Sequence, residues 1–147
     1  LPSGGTLNMN ILVVEDNEPE QIIMKEAFKD AQVQHDFHMV KDGIEAMEFL
    51  KKEGDFQSAP KPDLVILDLN MPRKNGLEVL SEIKGNPKWA HLPVLVFSNS
   101  EYSQDICRCY TLGANAYLNK PVDFDTFIEF ARTVDKFWLK AVRYCAH

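Results

Sequence analysis

The chain of 147 residues is short of several features that would announce a function. It has three cysteines, Cys107, Cys109 and Cys145, an odd and sparse set that argues against a disulfide framework and for a reducing, cytoplasmic setting. Cys107 and Cys109 are two apart on an expected helix, where such positions do not share a face, so they read as ordinary thiols. His35, His38, His91 and His147 lack ligand-like spacing and read as surface or strand-edge residues. No apolar run approaches the roughly 20 residues of a membrane helix, and no basic-then-apolar signal peptide opens the chain. Positive charge is not in excess: 16 Lys and Arg against 22 Asp and Glu give a net charge of -6. That balance speaks against nucleic acid as a partner, because duplex binding needs a basic face.

What remains is an ordinary globular composition, 45% hydrophobic and 26% charged, with a length suited to one domain. Residues 1–8, "LPSGGTLN", read as a leader or expression scar, and 9–147 as a single domain. Short apolar runs alternate with helix-period segments. Strands are expected at 10–16, 35–40, 62–68, 92–98 and 115–121. Helices are expected at 17–32 (through Ile22, Ile23, Ala27 and Phe28), 42–54 (through Ile44, Met47, Phe49 and Leu50), 76–86, 102–113 and 123–142. The stretch 53–63 reads as a structureless surface loop. Such alternation predicts an α/β fold with a doubly wound parallel sheet covered on both faces. For five strands, the flavodoxin-like order 2-1-3-4-5 is the common solution.

"LVILDLNMPRKNG", residues 64 to 76, ends an apolar strand on a carboxylate, Asp68. Taken singly, such an acid is as well explained as a cap for the following turn. The other strand ends add to it: Glu15 and Asp16 after strand 1, Ser98 at strand 4, Lys120 at strand 5. In the expected order these ends are neighbours, about 4.8 Å apart per strand, along the edge where parallel sheets bind ligands. Crowded carboxylates repel, so one takes a proton or a cation joins them. One ammonium about 4 Å away supplies at most roughly 4 kcal/mol at an effective dielectric near 20. Mg²⁺, with oxygen ligands, resolves the crowding better. A carboxylate, a hydroxyl, an ammonium and Mg²⁺ together suit phosphoryl transfer with Asp68 as nucleophile, forming an aspartyl-phosphate.

The motifs "VVED" (13–16), "LDLNMPRKNG" (67–76), "FSNS" (97–100) and "AYLNKP" (116–121), in this order and spacing, resemble the receiver domain of two-component response regulators. The resemblance implies a phospho-accepting signalling domain, not an enzyme acting on other molecules. It implies phosphotransfer from a histidine kinase to Asp68, and Mg²⁺ held by Asp16, Asp68 and the main-chain carbonyl of Asn70, with Glu15 helping through water. Ser98 then matches the switch hydroxyl, Lys120 the phosphate-pairing lysine and Tyr117 the aromatic switch, whose movement alters the face of helix 4, strand 5 and helix 5. Asn70 and Ser100 fall where such domains tune hydrolysis, and Lys120–Pro121 falls where they carry a cis peptide.

No output domain is expected after residue 135, so the chain reads as a stand-alone regulator. In the final helix Phe127, Ala131, Val134, Trp138 and Ala141 form an apolar stripe, with Phe130, Phe137, Leu139 and Tyr144 away from it. Apolar surface on more than one side points to a covered helix. Phe127, Phe130, Phe137 and Trp138 are therefore the expected interface of a homodimer or of a docked kinase. The loop 53–63 and the ending "DKFWLKAV" also resemble regulators paired with phytochrome histidine kinases. The rivals are a phosphate-independent receiver-like interaction module, a dehalogenase-type phosphatase and a flavodoxin-like cofactor binder. Asn70 stands where the phosphatase motif needs a second Asp, and "EDNEPE" would repel a cofactor phosphate.

Overall fold

In a strand, successive side chains point to opposite faces, and here both faces are apolar. Leu12, Val14, Val65, Leu67, Val94 and Val96 point one way, and Ile11, Val13, Leu64, Ile66, Leu95 and Phe97 the other. Each set needs a cover of helices. The computed structural model describes residues 8–71, 73–99 and 102–145, and shows how that cover is built.

Strands β1 (Asn10–Val14), β2 (Asp36–Val40), β3 (Leu64–Leu67), β4 (Val94–Ser98) and β5 (Ala116–Asn119) alternate with helices α1 (Glu18–Asp30), α2 (Gly43–Lys51), α3 (Gly76–Gly85), α4 (Ser103–Thr111) and α5 (Phe124–Thr133). All pairings are parallel, in the order β2-β1-β3-β4-β5, as the alternation predicts. Met24, Ala27 and Phe28 of α1 and Phe127, Phe130 and Ala131 of α5 cover one face. Ala46, Met47, Phe49 and Leu50 of α2, Val79, Leu80 and Ile83 of α3, and Cys109 of α4 cover the other. Four helices start on a short acid or amide whose side chain accepts a backbone N–H of the first turn: Asn17, Asp42, Asn75 and Asp123.

Several expectations change. Ile22 and Ile44 are exposed, and Met24 takes the core position in α1. The 53–63 connection is not structureless, because Gly54–Phe56 forms a 3₁₀ turn that sets Phe56 against Phe49. His35 is a covered side chain, since its Nδ1 accepts the Met9 N–H at 3.0 Å and its Nε2 faces Asp135.

The final helix is not one α-helix. It passes at Val134 into a π-helical segment, Val134–Ala141, closed by the Val142 N–H donating to the Phe137 carbonyl at 2.9 Å. The wider i→i+5 turn changes which residues face inward: Val134 and Asp135 are buried, and Trp138 and Leu139 pack on the core. Ala141, expected on the inner stripe, is exposed. Phe127 and Phe130 are core residues, 4% and 8% exposed, and Phe130 stacks on Phe97. That corrects their assignment to an interface. Of the four residues expected there, Phe137 is exposed and Trp138 is half-buried. Residues 1–7 of the leader, Pro72, Ser100 and His147 lie outside the described residues.

Candidate functional site

The C-terminal ends of β1, β3, β4 and β5 deliver the site. The register aligns Val14 with Leu67 and Ser98 with Asn119, so the residues that follow emerge together. The Asp68 N–H donates to the Val14 carbonyl at 3.1 Å, and the Lys120 N–H to the Ser98 carbonyl at 3.0 Å. These ladder bonds carry the pairing one residue past each strand. Gly76 permits the turn after β3: a Cβ there would stand 2.6 Å from Cα of Leu69. Its N–H donates to the Leu69 carbonyl at 2.9 Å.

Glu15, Asp16 and Asp68 each place a carboxylate oxygen within 4.8 Å of the others. Glu15 and Asp68 are buried and Asp16 is exposed, so the group opens to solvent on one side. Lys120, 9% exposed, extends its ammonium between the acids: Nζ lies 2.7 Å from Oε1 of Glu15 and 3.3 Å from Oδ2 of Asp68. It also lies 5.2 Å from the centroid of the Phe97 ring. The Asn70 N–H reaches Oδ1 of Asp68 at 3.4 Å. Ser98 is fully buried at the end of β4. Tyr117 is half-buried in β5, and its N–H donates to the Tyr110 hydroxyl of α4 at 3.0 Å. Lys120–Pro121 is trans, and no cis peptide occurs among the described residues. That departs from the cis bond the resemblance implies, and it is the usual isomer of an X–Pro bond.

Glu20 was not expected in this site. It stands in the first turn of α1, where an acid reads as a complement to the helix dipole. Its Oε2 nevertheless lies 2.5 Å from the Lys120 ammonium. The available signal was its place five residues after Glu15, across a single helical start from β1.

Charge is unbalanced here. Burial pushes the Glu15 carboxyl up to about 8, and the neighbouring Glu20 carboxylate adds to the rise, against Lys120 and the Asn17 N–H. Burial also raises Asp68, with Lys120 opposing. Glu20 is lowered, because the Glu15 carboxyl and Lys120 outweigh its burial. The Lys120 ammonium is held on against burial by Glu15, Glu20 and Asp68. One ammonium thus leaves the carboxylates short of positive charge. A cluster of hard oxygen donors in that condition fits a divalent cation of the Mg²⁺ or Mn²⁺ kind.

The sequence pattern of the response regulator receiver domain matches residues 11–132. The chain is 36% identical over 132 residues to response regulator Rcp1 of Synechocystis sp., covering 90% of each. A crystal structure of the phosphorylated cyanobacterial phytochrome response regulator RcpA superposes with a TM-score of 0.89 at 36% identity, over 95% of this chain and 100% of that one. The Mn²⁺-bound form of Rcp1 gives a TM-score of 0.86 at 36% identity, over 94% and 99%.

Proposed function

The chain belongs to the response regulator receiver domain family, and from that premise we propose that Asp68 accepts a phosphoryl group from the phosphohistidine of a histidine kinase. The observation that carries this reading is the meeting of Asp68 with Glu15, Asp16 and Lys120 at one sheet edge.

A carboxylate oxygen of Asp68 attacks phosphorus. The P–O bond forms as the P–N bond to the imidazole breaks, and the imidazole leaves with the electron pair. Lys120 and the Ser98 hydroxyl donate to the phosphoryl oxygens, and the buried surroundings strengthen both interactions. A divalent cation, read as Mg²⁺, would be held by Glu15, Asp16, Asp68 and the Asn70 carbonyl, and would supply charge neutralisation to the phosphoryl oxygens. The chain acts on no other substrate; it promotes the gain and loss of its own phosphoryl group.

The relay runs through Tyr117. Its backbone ties β5 to α4 through Tyr110, so a shift of Ser98 toward the phosphoryl group has a short path to the surface of α4, β5 and α5. Tyr102, Tyr110, Val122 and Phe124 are exposed near that surface, and Phe137 on the π-helical segment. These apolar side chains support a homodimer or a docked kinase. The likeness to regulators named for phytochrome supports a phytochrome-type kinase as partner. Cys107 and Cys109, outside any disulfide, suit the cytoplasm, and no described helix is long and apolar enough to cross a membrane.

The test is phosphotransfer from a phosphorylated phytochrome-type kinase, with Mg²⁺ and with a chelator. Transfer in the first and none in the second is expected. Transfer unaffected by chelation contradicts the cation's part, and no transfer from any histidine kinase of the same genome contradicts the reading. Sedimentation at high concentration, with and without phosphorylation, checks the dimer: a monomer in both states refutes it.

A further inference from the structure

Lys120 is held most closely by a residue outside the group of acids that can share an ion. Its Nζ lies 2.5 Å from Glu20 and 2.7 Å from Glu15, against 3.3 Å from Asp68. Both nearer oxygens, Oε2 of Glu20 and Oε1 of Glu15, are sealed from solvent. Glu20 does not enter the cluster of Glu15, Asp16 and Asp68. Its charge is therefore spent on the ammonium. Nor is its position casual: the Glu20 N–H donates to Oδ1 of Asn17 at 3.0 Å, which fixes it to the capped start of α1.

We propose that Glu20 is a positioning residue that draws the Lys120 ammonium away from Asp68 in the resting site and so weakens the uptake of a phosphoryl group there. This rests on the reading of Asp68 as phosphoacceptor. An ammonium has three donors; that of Lys120 donates to Oδ2 of Asp68 and is flanked at ion-pair distance by Glu15 and Glu20. A phosphoryl group on Asp68 must compete with the pull of Glu20 and Glu15 on that ammonium. A group that grips the resting arrangement more tightly than the phosphorylated one shifts the balance toward rest. Glu15 also serves the cation cluster, which leaves Glu20 as the partner whose removal frees the lysine alone.

The test uses beryllofluoride as the phosphoryl mimic, titrated at saturating Mg²⁺ against the full chain. Four proteins are compared: wild type, Glu20→Gln, Lys120→Gln and the double variant. Glu20→Gln is expected to bind the mimic roughly threefold to tenfold more tightly, the scale of one partly exposed ion pair. In the Lys120→Gln background the same change is expected to do nothing. Equal tightening in both backgrounds overturns the proposal, because Glu20 would then act through the field on the cation. No tightening in either also overturns it.

A resting-state measurement needs no Lys120 variant. The ¹⁵N resonance of the Lys120 ammonium, slow to exchange behind sealed carboxylates, should broaden in Glu20→Gln, and an unchanged resonance overturns the proposal. Failure of the underlying reading looks different: Asp68→Asn would then bind the mimic as well as wild type does.

Discussion

Arg73 closes on Asp42: Nε and Nη2 of the guanidinium donate to the same carboxylate oxygen, at 2.9 and 2.5 Å. The other oxygen accepts the Glu45 N–H at 2.8 Å and caps α2. Arg73 has a left-handed backbone, φ 63°, in the turn that follows Asp68. The neighbouring Gly43 N–H donates to the Lys74 carbonyl at 3.1 Å. The turn beyond the candidate phosphoacceptor is thus fastened to the start of α2.

Asp42→Ala removes a cap and an ion-pair partner, and urea unfolding should show a loss of about 1–2 kcal/mol. Arg73→Ala should lose less, about 0–1 kcal/mol, because the guanidinium is half exposed. Burial raises the Asp42 carboxyl, but the Glu45 N–H and Arg73 outweigh it and hold the group below its ordinary 3.8. A lowered acid stabilises above its ordinary value and loses that contribution as pH falls through the lowered one. The gap between wild type and Asp42→Ala should therefore narrow below about pH 4.

His35 offers a second pH dependence, away from the site. Burial lowers its pKa below the ordinary 6.5, Lys140 adds to the fall, and Asp135, Asp36 and Asp63 oppose it. Neutral imidazole also suits the geometry, since Nδ1 accepts the Met9 N–H at 3.0 Å and protonation would turn that acceptor into a donor. The unfolded chain binds this proton first, so stability is full above pH 6.5 and declines as pH drops through the folded value. Thermal unfolding between pH 7.5 and 5 should show the decline, about flattened in His35→Gln. An unchanged slope in the variant would assign the effect elsewhere.

Burial separates the aromatic residues of the C-terminal helical region. Phe130, 8% exposed and stacked on Phe97, should cost about 3–5 kcal/mol when replaced by alanine. Phe137, 54% exposed, should cost about 0.5 kcal/mol or less. The two variants, compared by urea unfolding, test whether the surface here is Phe137 rather than Phe130.

Most of the sheet and most of the site were legible in the sequence for one reason. Parallel strands put their C-terminal ends on one edge, so reading Glu15, Asp16, Asp68, Ser98 and Lys120 at four strand ends already placed them together. Glu20 was harder to read because it arrives from a helix, and only its closeness to Glu15 in the chain hinted at it. The same holds for His35 and Asp135, 100 residues apart in the chain, which only packing brings to 3.8 Å. The π-helical segment misled the periodicity: a stripe drawn at α spacing put Leu139 outside and Ala141 inside, the reverse of what packing shows. Nothing local in "VDKFWLKA" announces the wider turn.

The most direct measurement is the site of covalent labelling by a small phosphodonor. With acetyl phosphate and Mg²⁺, wild type should gain one phosphoryl group, held as an acyl phosphate that hydroxylamine cleaves to inorganic phosphate and a protein hydroxamate, and Asp68→Asn should gain none. An Asp68→Asn protein that labels as fully as wild type, with the bond mapped to another residue, would contradict the assignment of Asp68.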